Sequence, residues 1–361
     1  MILKSQILKT SVTILLVALT ITILLAQERI GKEIHKTYPV TEGTNLSIDN
    51  KYGNIDIRNW EKNTIDIVVQ IKLFNVNDKK ADEILKMIEI NHYTKENKIV
   101  FKTKFVESFG VSLMKTNNKN KLFEVNYIIN MPHDIEVNLV NKYGNVFIDK
   151  LSVASKIDIK YGKLQANIIS SVNKDNMSRL SLAYSDANIE QCSWLKANIR
   201  YSKFNIDKSK ALIIVSQYSK VFLTKGSSLV TVSKYDTYNI GDFINFITEA
   251  GYCNFKINSV SKLFKAETEY TDVKINHITD KFESININSK YGAYKLAIDK
   301  NSSYYLKGTV NYGDIIYPNN SRVSRNQKMT ELQVDGYVGS NTQTEKTVSV
   351  NSKYCTVKLT E

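Results

Sequence analysis

Three cysteines, three prolines, four histidines and 14 glycines are few for a sequence of 361 residues, and each shortage excludes something. Cys192, Cys253 and Cys355 are an odd set without a Cys-x-x-Cys spacing, so they outline neither a disulfide framework nor a zinc site. His35, His92, His133 and His277 lie in separate segments, with no His-x-x-x-His or His-Glu pair to suggest a metal centre. The glycines stand singly, after tyrosines or in bends. No phosphate-cradling loop and no Gly-x-Ser-x-Gly elbow occurs. The sequence therefore assigns no catalytic residue, no metal ligand and no cofactor.

What is abundant is Asn, Lys, Ile, Val and Tyr, a mixture that favours strands joined by polar turns. Hydrophobic residues make up 42%, enough for a folded core. The net charge of +13 is spread along the chain, which reads as general solubility or as an affinity for anionic glycans, lipid head groups or nucleic acid, with no specific nucleic-acid site expected. Residues 1–26 are a separate object. Lys4 and Lys9 precede an apolar run from Ser11 to Ala26, the pattern of a signal peptide with cleavage expected at Ala26–Gln27. Left uncleaved, this run is a short membrane anchor, the one membrane contact the sequence offers. Either way the body is expected to be exported, to the periplasm, outer-membrane surface or extracellular space.

A tyrosine recurs at Tyr143, Tyr161, Tyr184, Tyr201, Tyr218, Tyr235, Tyr252, Tyr270, Tyr291 and Tyr312, at steps of 17 to 23 residues. Tyr354 lies 42 residues beyond Tyr312, twice the 21-residue step, with one repeat missing near 333. Tyr52 reads as an isolated early copy. A fixed period of this size means one small unit stacked many times, and these tyrosines are its structural markers. Counted from each tyrosine, positions +3 and +5 are apolar: Phe204 and Ile206, Val221 and Leu223, Tyr238 and Ile240, Phe255 and Ile257. Positions +8 and +11 are often apolar too, as at Cys192, Phe243, Phe246, Val260 and Leu263. Alternation of period two is a strand with one buried face. Seventeen residues hold about two five-residue strands and two turns but no helical crossover. The fold class is therefore all-β, a parallel β-solenoid, with the right-handed wind that parallel connections favour.

Residues 27–131 are expected to hold the first repeat unit and a small α+β cap that closes the open end of the solenoid. Within it, 65–74, 98–105 and 123–130 read as strands and 79–90 as one short helix, with Ala81, Ile84, Leu85 and Ile88 on one face and Asn77 or Asp78 as N-cap. Residues 107–121 read as a polar loop. The solenoid repeats fill 132–361, with an irregular excursion or hairpin at 318–346.

Tyr127-Ile-Ile-Asn-Met-Pro132, Ile135-Glu-Val-Asn-Leu and Asn141-Lys-Tyr-Gly-Asn-Val-Phe-Ile148 together resemble the bacterial putative-adhesin domain family of exported β-strand-repeat proteins. Asn50-Lys-Tyr-Gly-Asn-Ile-Asp-Ile57 and Asn351-Ser-Lys-Tyr-Cys-Thr-Val-Lys-Leu359 match its opening and closing units. The resemblance spans nearly all of the chain after residue 26 and implies an envelope β-solenoid. Ser185, Ser202 and Ser219 stand where that pattern has glycine after the tyrosine.

The residue before the repeat tyrosine is basic in seven copies: Lys51, Lys142, Lys160, Arg200, Lys234, Lys290 and Lys353. In-register stacking would line these along one edge, a candidate contact for an anionic ligand. Ala183, Gln217, Gly251, Glu269 and Asn311 interrupt the row. Acids on adjacent coils, which a polysaccharide lyase or hydrolase would need, do not stand out. The expectation is a non-enzymatic envelope solenoid serving as an adhesin-like scaffold or binding surface, its partner an envelope or extracellular glycan or another envelope protein. The alternatives are a carbohydrate-active β-helix enzyme and an envelope-stress signalling component.

Overall fold

The computed structural model describes residues 28–106, 121–172 and 174–361. The expected signal peptide, and all but the last residue of the expected loop at 107–121, lie outside them. The chain begins with β1 (Glu28–Pro39), β2 (Asn45–Lys51), β3 (Ile55–Asn59), β4 (Thr64–Phe74), α1 (Asp78–Lys86), β5 (Ile88–Lys95), β6 (Lys98–Phe105) and β7 (Phe123–Met131). Split coils follow: β8 (Glu136–Lys142) with β9 (Val146–Leu151), β10 (Lys156–Lys160) with β11 (Lys163–Ile169), then β12 (Ser178–Ala183). In the middle each coil is one long strand: β13 (Asp186–Arg200), β14 (Lys203–Gln217), β15 (Lys220–Lys234), β16 (Thr237–Gly251) and β17 (Asn254–Glu269). The chain closes with β18 (Asp272–Ile278), β19 (Ser284–Ile298), β20 (Tyr304–Asn311), β21 (Asp314–Ile316), β22 (Ser321–Lys328), β23 (Glu331–Val338) and β24 (Thr347–Thr360).

Each middle strand pairs in parallel with its equivalent one period on, so Phe204, Val221, Tyr238 and Phe255 stand in one file. The expected pair of short strands with two turns is not what these coils contain. Their only sharp turn is at the tyrosine, and the chain changes direction elsewhere where pairing lapses, at +6 and +9. Turn-favouring residues recur there, Asp207, Gly241 and Asn258 at +6 and Ser193, Ser227 and Ser261 at +9, so the polar bend expected between the two apolar stretches falls at these lapses. Positions +3, +5, +11 and +13 point inward, and apolar side chains there form one continuous core. The 18-residue coil departs from this. A register shift after Phe243 moves Phe264 into the core and leaves Leu263 half-buried, so the inward place is +12 in that coil.

The N-terminal part, expected as a cap, holds more strands than the sequence indicates. Asn77 Oδ1 accepts the Lys80 N–H at 2.9 Å and caps α1, but the helix ends at Lys86. Ile88 belongs instead to β5, which the sequence reading missed, because Ile88-Glu-Ile-Asn alternates and pairs antiparallel with β6. β6 and β7 lie in parallel against β2 and β3, and β4 and β1 extend β7 antiparallel. Tyr52 is no isolated copy: β2 and β3 pair directly with β8 and β9, although β4, α1, β5, β6 and β7 intervene in the sequence.

The other end is reordered too. β24 inserts between β19 and β20, pairing in parallel with both, so the last coil in sequence is the second last in space. The stretch at 318–346 supplies the hairpin β22–β23, which covers β20 antiparallel.

Candidate ligand-binding face

All twelve repeat tyrosines, Tyr52 included, have left-handed backbones, with φ between 49° and 64°. That conformation costs an L-residue roughly 1–2 kcal/mol, which is why glycine or asparagine usually fills it. Nothing in the sequence reading anticipated it: Tyr161 and Tyr184, at φ 56° and 52°, follow Lys160 and Ala183 with no local turn signature in common. Two gains offset the cost. The tyrosine N–H donates to the carbonyl of the residue preceding the next coil's tyrosine. Tyr143 donates to Lys160 at 3.0 Å, Tyr161 to Ala183 at 3.1 Å, Tyr184 to Arg200 at 3.1 Å and Tyr201 to Gln217 at 3.1 Å.

The rings also stack, in the order Tyr52, Tyr143, Tyr161, Tyr184, Tyr201, Tyr218, Tyr235, Tyr252, Tyr270, Tyr291, Tyr354, Tyr312. Centroids are 4.7–5.2 Å apart and planes lie within 2–23° of parallel. The 23-residue step from Tyr161 to Tyr184, the longest in the series, leaves no gap in the ladder. Their rings are 5.2 Å apart and 6° from parallel, because the extra residues lie between β11 and β12, away from the tyrosine edge. Each such contact contributes roughly 0.5–1.5 kcal/mol beyond area burial.

Stacking decides what the ladder can bind. From Tyr143 to Tyr354 both ring faces are taken by neighbouring rings, so sugars cannot stack on them. From Tyr143 onward the rings remain 40–53% exposed, through their edges and hydroxyls. The ladder thus presents a line of hydroxyls at the coil spacing.

Behind the ladder, the residue after the tyrosine packs inward. Gly144 could not be larger: a Cβ there would lie 1.8 Å from the Gly53 carbonyl oxygen. In the middle coils a hydroxyl fills this place and works as a connector. Ser185, Ser202 and Ser219 accept the N–H of the corresponding residue one coil earlier, at 3.3, 3.1 and 3.2 Å. Asp236 does the same for Ser219 at 2.6 Å and also accepts from Ser216 Oγ at 2.7 Å. Burial pushes its carboxyl above the usual range. Cys253 continues the series, accepting from the Asp236 N–H at 3.4 Å, and burial pushes its thiol up to about 11. The Cys192 thiol, at +8, is pushed up to about 12 by burial, and all three cysteines are free and buried.

The seven basic residues occupy one row beside the ladder. Lys51 pairs with Lys142 and Lys142 with Lys160, three consecutive coils with no interruption. The row then runs Ala183, Arg200, Gln217, Lys234, Gly251, Glu269, Lys290, Lys353, Asn311. Several ammonium groups lean over the rings. Lys51 Nζ is 4.6 Å from the Tyr52 centroid, Lys234 5.5 Å from Tyr235, and Lys353 5.3 Å from Tyr354. Glu269 is ion-paired with Lys290 at 3.1 Å, which cancels one charge of the row.

The sequence reading missed an acid pair. Glu249 and Glu267 are register partners on adjacent coils, three residues before Tyr252 and Tyr270. Spacings of 17 in one coil and 18 in the next concealed it, and counting back from the tyrosine would have found it. Both line a shallow, open groove of about 640 Å³ beside the ladder, with Arg200, Val232, Lys234 and Glu269. Glu267 is ion-paired with Lys265 at 2.8 Å, and both side chains are about half exposed. Among the described residues no three of His, Cys, Asp and Glu gather as metal ligands, and no helix is long and apolar enough to cross a membrane.

No family model and no curated protein matches the chain. Solved structures do. A putative cell adhesion protein from Clostridium sporogenes is similar at 10% identity over 91% of this chain and 98% of its own, with a TM-score of 0.22. A putative adhesin from Bacteroides fragilis is similar at 13% identity over 74% and 96%, with a TM-score of 0.30. A putative lipid binding protein from Parabacteroides distasonis is similar at 8% identity over 75% and 98%, with a TM-score of 0.29. Identities and superpositions this low carry no residue across to this chain.

Proposed function

We propose that this chain is a non-enzymatic, exported envelope protein whose basic, tyrosine-lined edge binds a linear anionic glycan along the solenoid axis. The observation that carries the reading is the uninterrupted triplet Lys51, Lys142 and Lys160, in register on successive coils beside the hydroxyl line of the tyrosine ladder. Ammonium groups repeated about every 4.8 Å suit a ligand with regularly spaced anions, and hydroxyl donors beside them suit sugar oxygens. The Ser11–Ala26 run supports export, since an apolar segment after a basic start is what a secretion pathway reads.

The Glu249–Glu267 pair favours a second reading, a polysaccharide-cleaving enzyme. Against it stand an open groove and an ion-paired, half-exposed Glu267, because a carboxyl acting as general acid is kept protonated by burial. One experiment addresses both. Retention on a carboxylated or sulfated glycan matrix should fall at least several-fold in the Lys51→Gln, Lys142→Gln, Lys160→Gln variant, with the salt dependence flattened and the thermal midpoint unchanged. Undiminished retention would overturn the binding site. New reducing ends or unsaturated sugars appearing in the bound glycan would decide for the enzyme.

A further inference from the structure

The C-terminal coils carry a second basic row, on the side of the tyrosine turn opposite to the first. Lys256, Lys274, Lys295 and Lys358 each stand four residues after a repeat tyrosine. They are register partners in that order on four consecutive coils, with no interruption. Lys358 joins the row only because β24 inserts beside β19, so the sequence does not reveal it. All four are exposed, and among the described residues none of them has an ion pair or a hydrogen bond. The row ends at Asn239 on one side and at Ile316 on the other. Beside it, at +2 and +6, Ala293, Ala297, Thr356 and Thr360 are short and leave the lysines standing clear. One acid, Asp272, occupies those positions on the four coils, and its carboxylate accepts the Ala293 N–H at 3.0 Å.

Two ordinary explanations of such a row fail. Lysine guards free sheet edges, but this row crosses strands that are paired on both sides. General solubility needs no file of like charges either. Elsewhere on these coils neighbouring layers set opposite charges together, Lys262 with Glu283 at 2.8 Å and Lys290 with Glu269 at 3.1 Å. Ammonium groups about 4.8 Å apart repel one another instead, and a bound polyanion relieves that repulsion. We propose that this row binds a linear phosphate polymer laid along the solenoid axis. A chain with an anion on every backbone unit matches each lysine, whereas a glycan charged on alternate sugars leaves half of them unmatched. Past Lys256 the row opens into a shallow hollow of about 350 Å³, where the Asn239 and Asn276 amides can donate to further phosphate oxygens. The row shares no residue with Lys51, Lys142 and Lys160, so it does not depend on glycan binding there.

Affinity of the full chain for long-chain inorganic polyphosphate, measured across a salt series, tests the row. The Lys256→Gln, Lys274→Gln, Lys295→Gln, Lys358→Gln variant should bind about tenfold more weakly or worse, with the slope of log affinity against log salt shallower by about 3, the counterion release of four phosphate contacts. Its thermal midpoint at low salt should equal or exceed the parent's, because repulsion along the row is gone. A variant with Lys32→Gln, Lys79→Gln, Lys208→Gln and Lys300→Gln removes as much charge from exposed places outside the row and should bind like the parent. The Lys51→Gln, Lys142→Gln, Lys160→Gln variant should keep polymer binding while the row variant keeps glycan retention, so either reading can fail without the other. Equal weakening in both quadruple variants would reduce the row to general charge and overturn the proposal. So would row-dependent attachment to phosphatidylglycerol vesicles with polyphosphate binding untouched, which would make this a membrane-facing surface.

Discussion

At the scale of single residues, the repeat tyrosine does two jobs that conflict energetically. It turns the chain through a left-handed backbone that disfavours it, and it holds a stacked ring in place. The conflict can be separated at Tyr218, whose ring lies 5.0 Å from Tyr201 and 4.9 Å from Tyr235. Tyr218→Gly loses two stacks, about 1–3 kcal/mol, but relieves the roughly 1–2 kcal/mol backbone cost that the tyrosine bears, so its net effect is small. Tyr218→Val loses the stacks and keeps a β-branched residue at positive φ, which leaves it roughly 1–2 kcal/mol less stable than the glycine variant. The urea midpoint of the valine variant should therefore lie below those of both the parent and the glycine variant. Valine equal to glycine would mean that the left-handed turn carries no strain. The tyrosine period was legible in the sequence; the positive φ was not, because a tyrosine normally signals nothing about backbone handedness.

Within a coil, the chain of connectors after the tyrosine sets how neighbouring turns hold together. Asp236 is the odd member, a buried carboxyl where the preceding three coils use serine. Burial raises its folded-state pKa above the unfolded value, so the native state takes up a proton more readily than the unfolded chain. Stability is then highest below the unfolded pKa of about 3.9 and declines as pH rises through the window up to the folded pKa. Asp236→Ser removes that decline while keeping an acceptor for the Ser219 N–H. It should stabilise the protein at pH 7 by roughly 0.5–2 kcal/mol, the range of substitutions toward a consensus residue. The gain should shrink toward pH 4, and thermal melts across this range would show it. A loss at pH 7 would mean that the bonds from Ser216 and Ser219 outweigh burial of the charge.

For the whole molecule, a stack of parallel coils must end somewhere, and a bare end invites another chain. Both ends are closed by antiparallel strands, β1 on β4 at one and β22 on β23 at the other. β22 is the outer strand and carries Arg322, Arg325 and Lys328 within eight residues. Charge on an edge strand blocks edge-to-edge pairing. Replacing Arg322 and Lys328 with valine should leave the melting midpoint within a degree or two but raise light scattering at 37 °C several-fold. Unchanged scattering would show that the hairpin's outer edge needs no such protection.

By itself the sequence determined the period, the inward alternation at +3 and +5 and the basic residue before the tyrosine. All three are relations between residues a few positions apart, written into strand geometry. Only the tertiary structure decided which coil lies beside which. It brought Tyr52 against Tyr143 across 91 residues, set Tyr354 between Tyr291 and Tyr312, and paired Glu249 with Glu267. The reason is that looping out a long insertion adds little entropy cost beyond that of a short one. Distance along the chain therefore does not fix the order of layers; the pairing of strand edges does.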